Sequence, residues 1–167
     1  MKKIYWPIFL SLFVSLFIYL FFRTEKTVIN EIFISIISRS KYFEIKSNIR
    51  NHLHLNKHII YSLPEGLWVF CITLTSKNLS VKIGKHKLNC IFLPLVFSIG
   101  LELFQLLHFT NGRFDFWDIG FSIFFWAMGY YFVRPEFAEQ NIFRPINANS
   151  IICITTYAIV YLAHVWK

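Results

Sequence analysis

Glu102, Gln105, Arg113, Asp115 and Asp118 surround one short turn between two strongly apolar runs. A carboxylate inside a membrane helix costs roughly 2.5–3.5 kcal/mol on insertion scales, so it requires partners or a wet cavity and marks function by default. Arg113 is the one full positive charge in the turn, against Glu102, Asp115 and Asp118. Even a bidentate pair with Arg113 leaves the acids short of positive charge. The balance calls for a proton, a metal or a cationic partner. A plainer alternative is a polar network that fixes the register of two helices, worth about 0.6 kcal/mol per hydrogen bond in a bilayer.

The spacing says how these groups must be carried. Ser98, Glu102 and Gln105 are separated by four and three, which at about 100° per residue places them within a ~60° stripe of one helix. Asp118, Ser122, Phe125 and Gly129 follow a four-three-four spacing on the next, and small residues there allow close helix approach. The Asn111-Gly112 pair suits a tight reversal, so the two helices are expected to form an antiparallel hairpin that joins their stripes.

The rest of the chain sets the environment. Hydrophobic residues make up 56% of the 167, aromatics 20%, and the mean hydropathy is +0.50, beyond the ~45–50% apolar content of soluble domains. The sequence is therefore expected to fold as an all-α polytopic membrane protein, a single domain 1–167. Five spans are predicted at 4–22, 63–76, 88–108, 117–133 and 151–166, with a short interfacial helix over 28–38 after the first. The first run is too long for a signal peptide and has no small-residue cleavage site. Residues 39–58 are basic and polar, and read as a loop or surface helix. Lys77–Lys87 reads as a lysine-dense connector, and Arg134-Pro135 as the stop of the fourth span.

The net charge of +8 sits in segments between apolar runs, where it signals topology and contacts anionic headgroups rather than nucleic acid. The balance between the two sides is nearly tied. Weighting the first helix and the lysine-dense connector places the N-terminus in the cytoplasm of a multi-pass cell-membrane protein.

Other chemistry-bearing residues have simpler readings. Cys71, Cys90 and Cys153 lack CxxC spacing and read as packing thiols. His54 and His58 would share a helix face suited to metal, but Lys57 between them and the lack of nearby carboxylates favour a solvated basic loop. His108 is a candidate proton relay to Glu102 at the membrane edge. Glu65, three residues after Ser62, reads as the partner of a capping box that opens the second span, with Pro64 in the first turn. No metal site and no cofactor is predicted.

The run LELFQLLHFTNGRFDFWDIGFSIFFWAMG resembles the core of the VanZ-like membrane protein family, in which a Glu and Gln one turn apart precede an Arg, an Asp and a second Asp that opens the next helix. Glu102, Gln105, Arg113, Asp115, Asp118 and Gly129 fall on that pattern, and LPEGLWVF is similar to the family's Pro-acid stretch before its second helix. Ser122 stands where the pattern has Asn, and Trp68 where it often has His.

The resemblance implies an envelope protein linked to glycopeptide-type antibiotic resistance, with a polar site at the membrane surface that takes a lipid-linked or cell-wall component. A homo-oligomer is compatible with it. One alternative is a small proton- or ion-coupled transporter or accessory subunit using Glu102 as its buried titratable group. Another is a membrane-embedded lipid-modifying enzyme in which Glu102 or Asp118 acts as general base. The sequence leans away from an enzyme, for it carries no paired nucleophile and base and no phosphate-binding loop.

Overall fold

The computed structural model describes residues 2–23, 28–83, 85–109, 113–132, 140–143 and 146–165. They are mostly helical. The first helix, α1 (Lys2–Phe21), buries Ser11, Ile18 and Leu20 and leaves Trp6, Phe9, Leu10, Leu12 and Phe13 exposed. It is followed by α2 (Val28–Ile37) and α3 (Arg39–His52), which meet at Ser38, where a φ of 79° makes a sharp corner.

The basic segment predicted as a loop or surface helix has a defined task. Tyr42, Lys46 and Arg50 recur every four residues on one face of α3 and reach the C-terminal end of α1. Tyr42 Oη donates to the Leu20 carbonyl at 2.7 Å, Lys46 Nζ to Arg23 O at 3.1 Å, and Arg50 to Phe21 O at 2.8 Å and Phe22 O at 3.0 Å. The last carbonyls of a helix have no partner of their own and carry negative partial charge, so cationic donors satisfy both needs.

Next, α4 (Lys57–Tyr61) runs almost directly into α5 (Leu63–Ser76). Ser62 joins them with φ −93° and ψ −33°, a helical backbone. Its N–H bonds to His58 O at 2.8 Å and its carbonyl accepts from Gly66 N at 3.1 Å. Together Lys57–Ser76 form a 20-residue apolar stretch long enough by length and composition to cross a membrane, about 30 Å at 1.5 Å per residue. The helix predicted as short over 63–76 is thus prolonged at its N-terminal end. Among the described residues this is the one stretch that meets that length; Trp6–Phe21 and Cys90–Leu106 are apolar but shorter.

The capping box predicted at Ser62 does not form, because a cap residue needs an extended backbone to turn its hydroxyl onto the following N–H groups. Ser62 makes no side-chain cap hydrogen bond.

Lys77–Lys87 is not a plain connector. Strands β1 (Leu79–Ile83) and β2 (His86–Asn89) pair antiparallel, and β3 (Gln140–Asn141) pairs parallel with β1. Leu88 and Asn89, assigned to the third span, belong to β2. A 3-10 turn at Cys90–Phe92 then leads into α6 (Leu93–Leu106). Leu79, Cys90, Ile142 and Cys153 form a small buried core that seats α8 (Ala148–Val165) against the end of α5, with Ser76 Oγ 3.4 Å from Cys153 Sγ. All three cysteines are free and buried.

The last element of the site is α7 (Phe116–Phe132). α5 is the axis of the molecule, touching α1, α6, α7 and α8, and most extensively α7. α5 and α7 run parallel: Gly66 lies against Phe121 and Phe125 near one end, and Gly129 against Thr73 near the other. Lys77, just past α5, donates to the Gly129 and Tyr130 carbonyls at 3.1 and 2.6 Å. α6 runs antiparallel to both, with Trp126 Nε1 donating to Ile91 O at 2.9 Å.

Candidate functional site

The N-terminal ends of α5 and α7 and the C-terminal half of α6 converge, and each delivers one acid. Carboxylate oxygens of Glu65, Glu102 and Asp118 lie within 4.8 Å of one another. Glu102 is 1% exposed, whereas Glu65 and Asp118 are half-buried.

Two serines fix the cluster from behind. Ser98 Oγ donates to Glu65 Oε1 at 2.9 Å and lies 2.7 Å from Ser122 Oγ. A hydroxyl has one proton to give, so Ser122 donates to Ser98 and Ser98 to Glu65. The predicted stripes therefore do meet, at Ser98 and Ser122, but α5, packed against both helices, contributes a third acid.

The other predicted residues take different positions. Asp115 supplies its backbone N–H to Glu102 Oε2 at 3.0 Å, while its carboxylate accepts from Trp117 N at 2.9 Å. It is thus the N-cap of α7, satisfying a donor that the helix leaves open. Asp115→Ala is expected to cost about 1 kcal/mol, read as a lowered unfolding midpoint; an unchanged midpoint would show the cap to be idle.

Arg113 is exposed, Gln105 half-buried, and neither makes a side-chain hydrogen bond among the described residues. Asn111-Gly112, the expected reversal, and Arg134-Pro135, the expected helix stop, lie outside the described residues.

One positive charge near the cluster was not foreseen. Arg23, from the end of α1, is close enough to act electrostatically on Glu65 and Asp118. It forms no ion pair with them. Its guanidinium donates instead to Ile60 O, Tyr61 O and Tyr19 Oη at 3.3, 2.5 and 3.1 Å, and lies 4.3 Å from the centre of the Tyr19 ring. His58 also faces Asp118 and packs on Trp117 with ring centres 4.6 Å apart.

His54 is in the segment between α3 and α4, so it does not share a helix with His58. His108 is exposed at a φ of 60°, just past the end of α6, and makes no hydrogen bond to Glu102.

Two polar atoms at the cluster lack a well-formed hydrogen bond. The Ser62 hydroxyl is within reach of the Asp118 carboxylate, but neither Ser62 Oγ nor Asp118 Oδ1, both buried, meets a partner in good geometry. The serine is 0% exposed, so bulk water does not reach it.

Glu65 is the residue that reading the sequence missed as a site. Its place three residues after Ser62 supplied a sufficient local explanation, and the signal pointing elsewhere was the Pro-acid stretch of the family resemblance. No family model matches the chain, and no curated protein or solved structure is detectably similar to it.

Proposed function

We propose that this chain is a VanZ-like polytopic protein of the cell envelope, whose acid site at one end of the helix bundle binds a lipid-linked or cell-wall component. The observation that carries the reading is the meeting of Glu65, Glu102 and Asp118 from three different helices. Register alone is secured by Ser98 and Ser122; three crowded acids add repulsion that a purely structural contact has no reason to accept.

The surroundings support placement in a bilayer. Phe9, Val96, Phe104, Phe124 and Tyr131 are exposed on α1, α6 and α7, a spread of apolar surface that an isolated soluble monomer rarely presents. Trp117, exposed at the start of α7, suits the interface between headgroups and acyl chains.

The test compares cells expressing wild type with cells expressing Asp118→Ala, at matched membrane abundance, across a panel of envelope-active antibiotics that includes glycopeptides. A selective change in susceptibility for wild type that disappears in the variant is expected. Equal susceptibility of both to every compound would end this reading.

A further inference from the structure

We propose that Glu65, Glu102 and Asp118, together with the Ser62 hydroxyl, bind a single divalent cation of the oxygen-seeking class that includes calcium, magnesium and manganese. The inference rests on the same site as the envelope role but does not depend on what that role is.

Four observations carry it. The donors are all hard oxygens, the set that selects calcium, magnesium or manganese over zinc or copper. Their separation fits one ion: ligands on opposite sides of a calcium at 2.3–2.6 Å stand about 4.6–5.2 Å apart, and these carboxylate oxygens lie within 4.8 Å of one another.

The third observation is separate from the spacing of the acids. Ser62 is 0% exposed and its hydroxyl is within reach of the Asp118 carboxylate, yet neither Ser62 Oγ nor Asp118 Oδ1, both buried, has a partner in good hydrogen-bond geometry. Buried polar atoms are paired in the large majority of cases. The two oxygens sit side by side within reach of each other but out of good hydrogen-bond geometry, and both can donate a lone pair to a metal held between them.

The fourth is charge. Arg23 spends its donors on the carbonyls of Ile60 and Tyr61 and on the Tyr19 hydroxyl, so it lends the site a field but no ligand-like contact. A dication would offset the excess negative charge directly. Glu65 and Asp118 are half-buried, which leaves the ion an approach from the outside, while buried Glu102, anchored by the Asp115 N–H, forms the floor.

Calorimetric titration of the full chain, purified in detergent and stripped with chelator, tests this with calcium, magnesium and manganese chlorides, and with ethanolamine hydrochloride as a cationic amine. Saturable binding of one equivalent of at least one divalent ion is expected. The near-isosteric Glu65→Gln and Asp118→Asn should weaken it by about 100-fold and Ser62→Ala by about tenfold, at least the ~10–100-fold cost of losing even an outer-shell partner of a metal ligand. Glu44→Gln, an exposed acid on α3, should bind as wild type does.

Absence of saturable divalent binding by the helical, monodisperse wild type would overturn the proposal. So would affinity unchanged in both carboxamide variants, an equal loss in Glu44→Gln, or binding of ethanolamine with every divalent inert. Metal binding abolished in Asp118→Asn while its antibiotic profile stays that of wild type would support the cation and refute the envelope role; no metal binding with a selective antibiotic profile would do the reverse.

Discussion

Replacing Gly66 with alanine is expected to loosen the seam between α5 and α7 and to lower stability by about 1–3 kcal/mol, the usual effect of an extra group in a filled core. A Cβ at this position would stand 2.5 Å from Phe125 Cδ2, 3.1 Å from the Phe121 carbonyl oxygen and 3.2 Å from Phe121 Cβ. The Phe125 ring has little room to yield. It stacks on Phe121 at 6.2 Å and meets Phe70 and Phe124 edge-on at 6.4 and 5.3 Å. The helices must therefore separate, and the displacement reaches the acid cluster, because Glu65 adjoins Gly66 and Asp118 lies one turn before Phe121.

A double-mutant cycle gives the sharper measurement. Phe125→Leu removes the ring edge, so Gly66→Ala should be milder in that background, with a coupling of about 1 kcal/mol in unfolding experiments in micelles. Strict additivity would mean that the ring is not what fills the space above Gly66.

The origin of that seam shows what the sequence could reveal. The apolar runs and Pro64 were enough to place two of the site's helices: the predicted 63–76 is α5 to the residue, and 117–133 is offset by one from α7. Each is a local signal of length, periodicity and end residues. The sheet was hidden because its pattern is split. Leu79, Val81 and Ile83 do alternate with polar neighbours, but Lys82, Lys85 and Lys87 made the stretch read as a charged connector, and β3 joins from some sixty positions downstream, as the pairing of Ser80 with Asn141 shows.

The same division holds for the site. The Ser98–Glu102 and Asp118–Ser122 stripes follow from helix geometry, so their facing each other could be inferred. That α5 packs against both α6 and α7 at this end could not be, because nothing in LPEG distinguishes an acid that caps its own helix from one turned towards two others. What decides it is the backbone of Ser62, held helical by α4 before it.

Glu102 separates structure from chemistry in one position. Glu102→Ala is expected to lower stability by roughly 1.5–3 kcal/mol, since it removes a charged acceptor from the Asp115 N–H and hollows out a side chain that is 1% exposed. Glu102→Gln keeps a carbonyl oxygen where Oε2 accepts that N–H at 3.0 Å and nearly conserves volume, so its unfolding midpoint should stay close to wild type. Gln also lowers the repulsion among the three acids, which offsets part of any loss. If the cluster exists for its negative charge, the amide should nevertheless be as inactive as alanine in the antibiotic comparison. Full activity in the amide, alongside instability in alanine, would make Glu102 a fastener for the segment before α7 and move the chemistry to Glu65 and Asp118 alone.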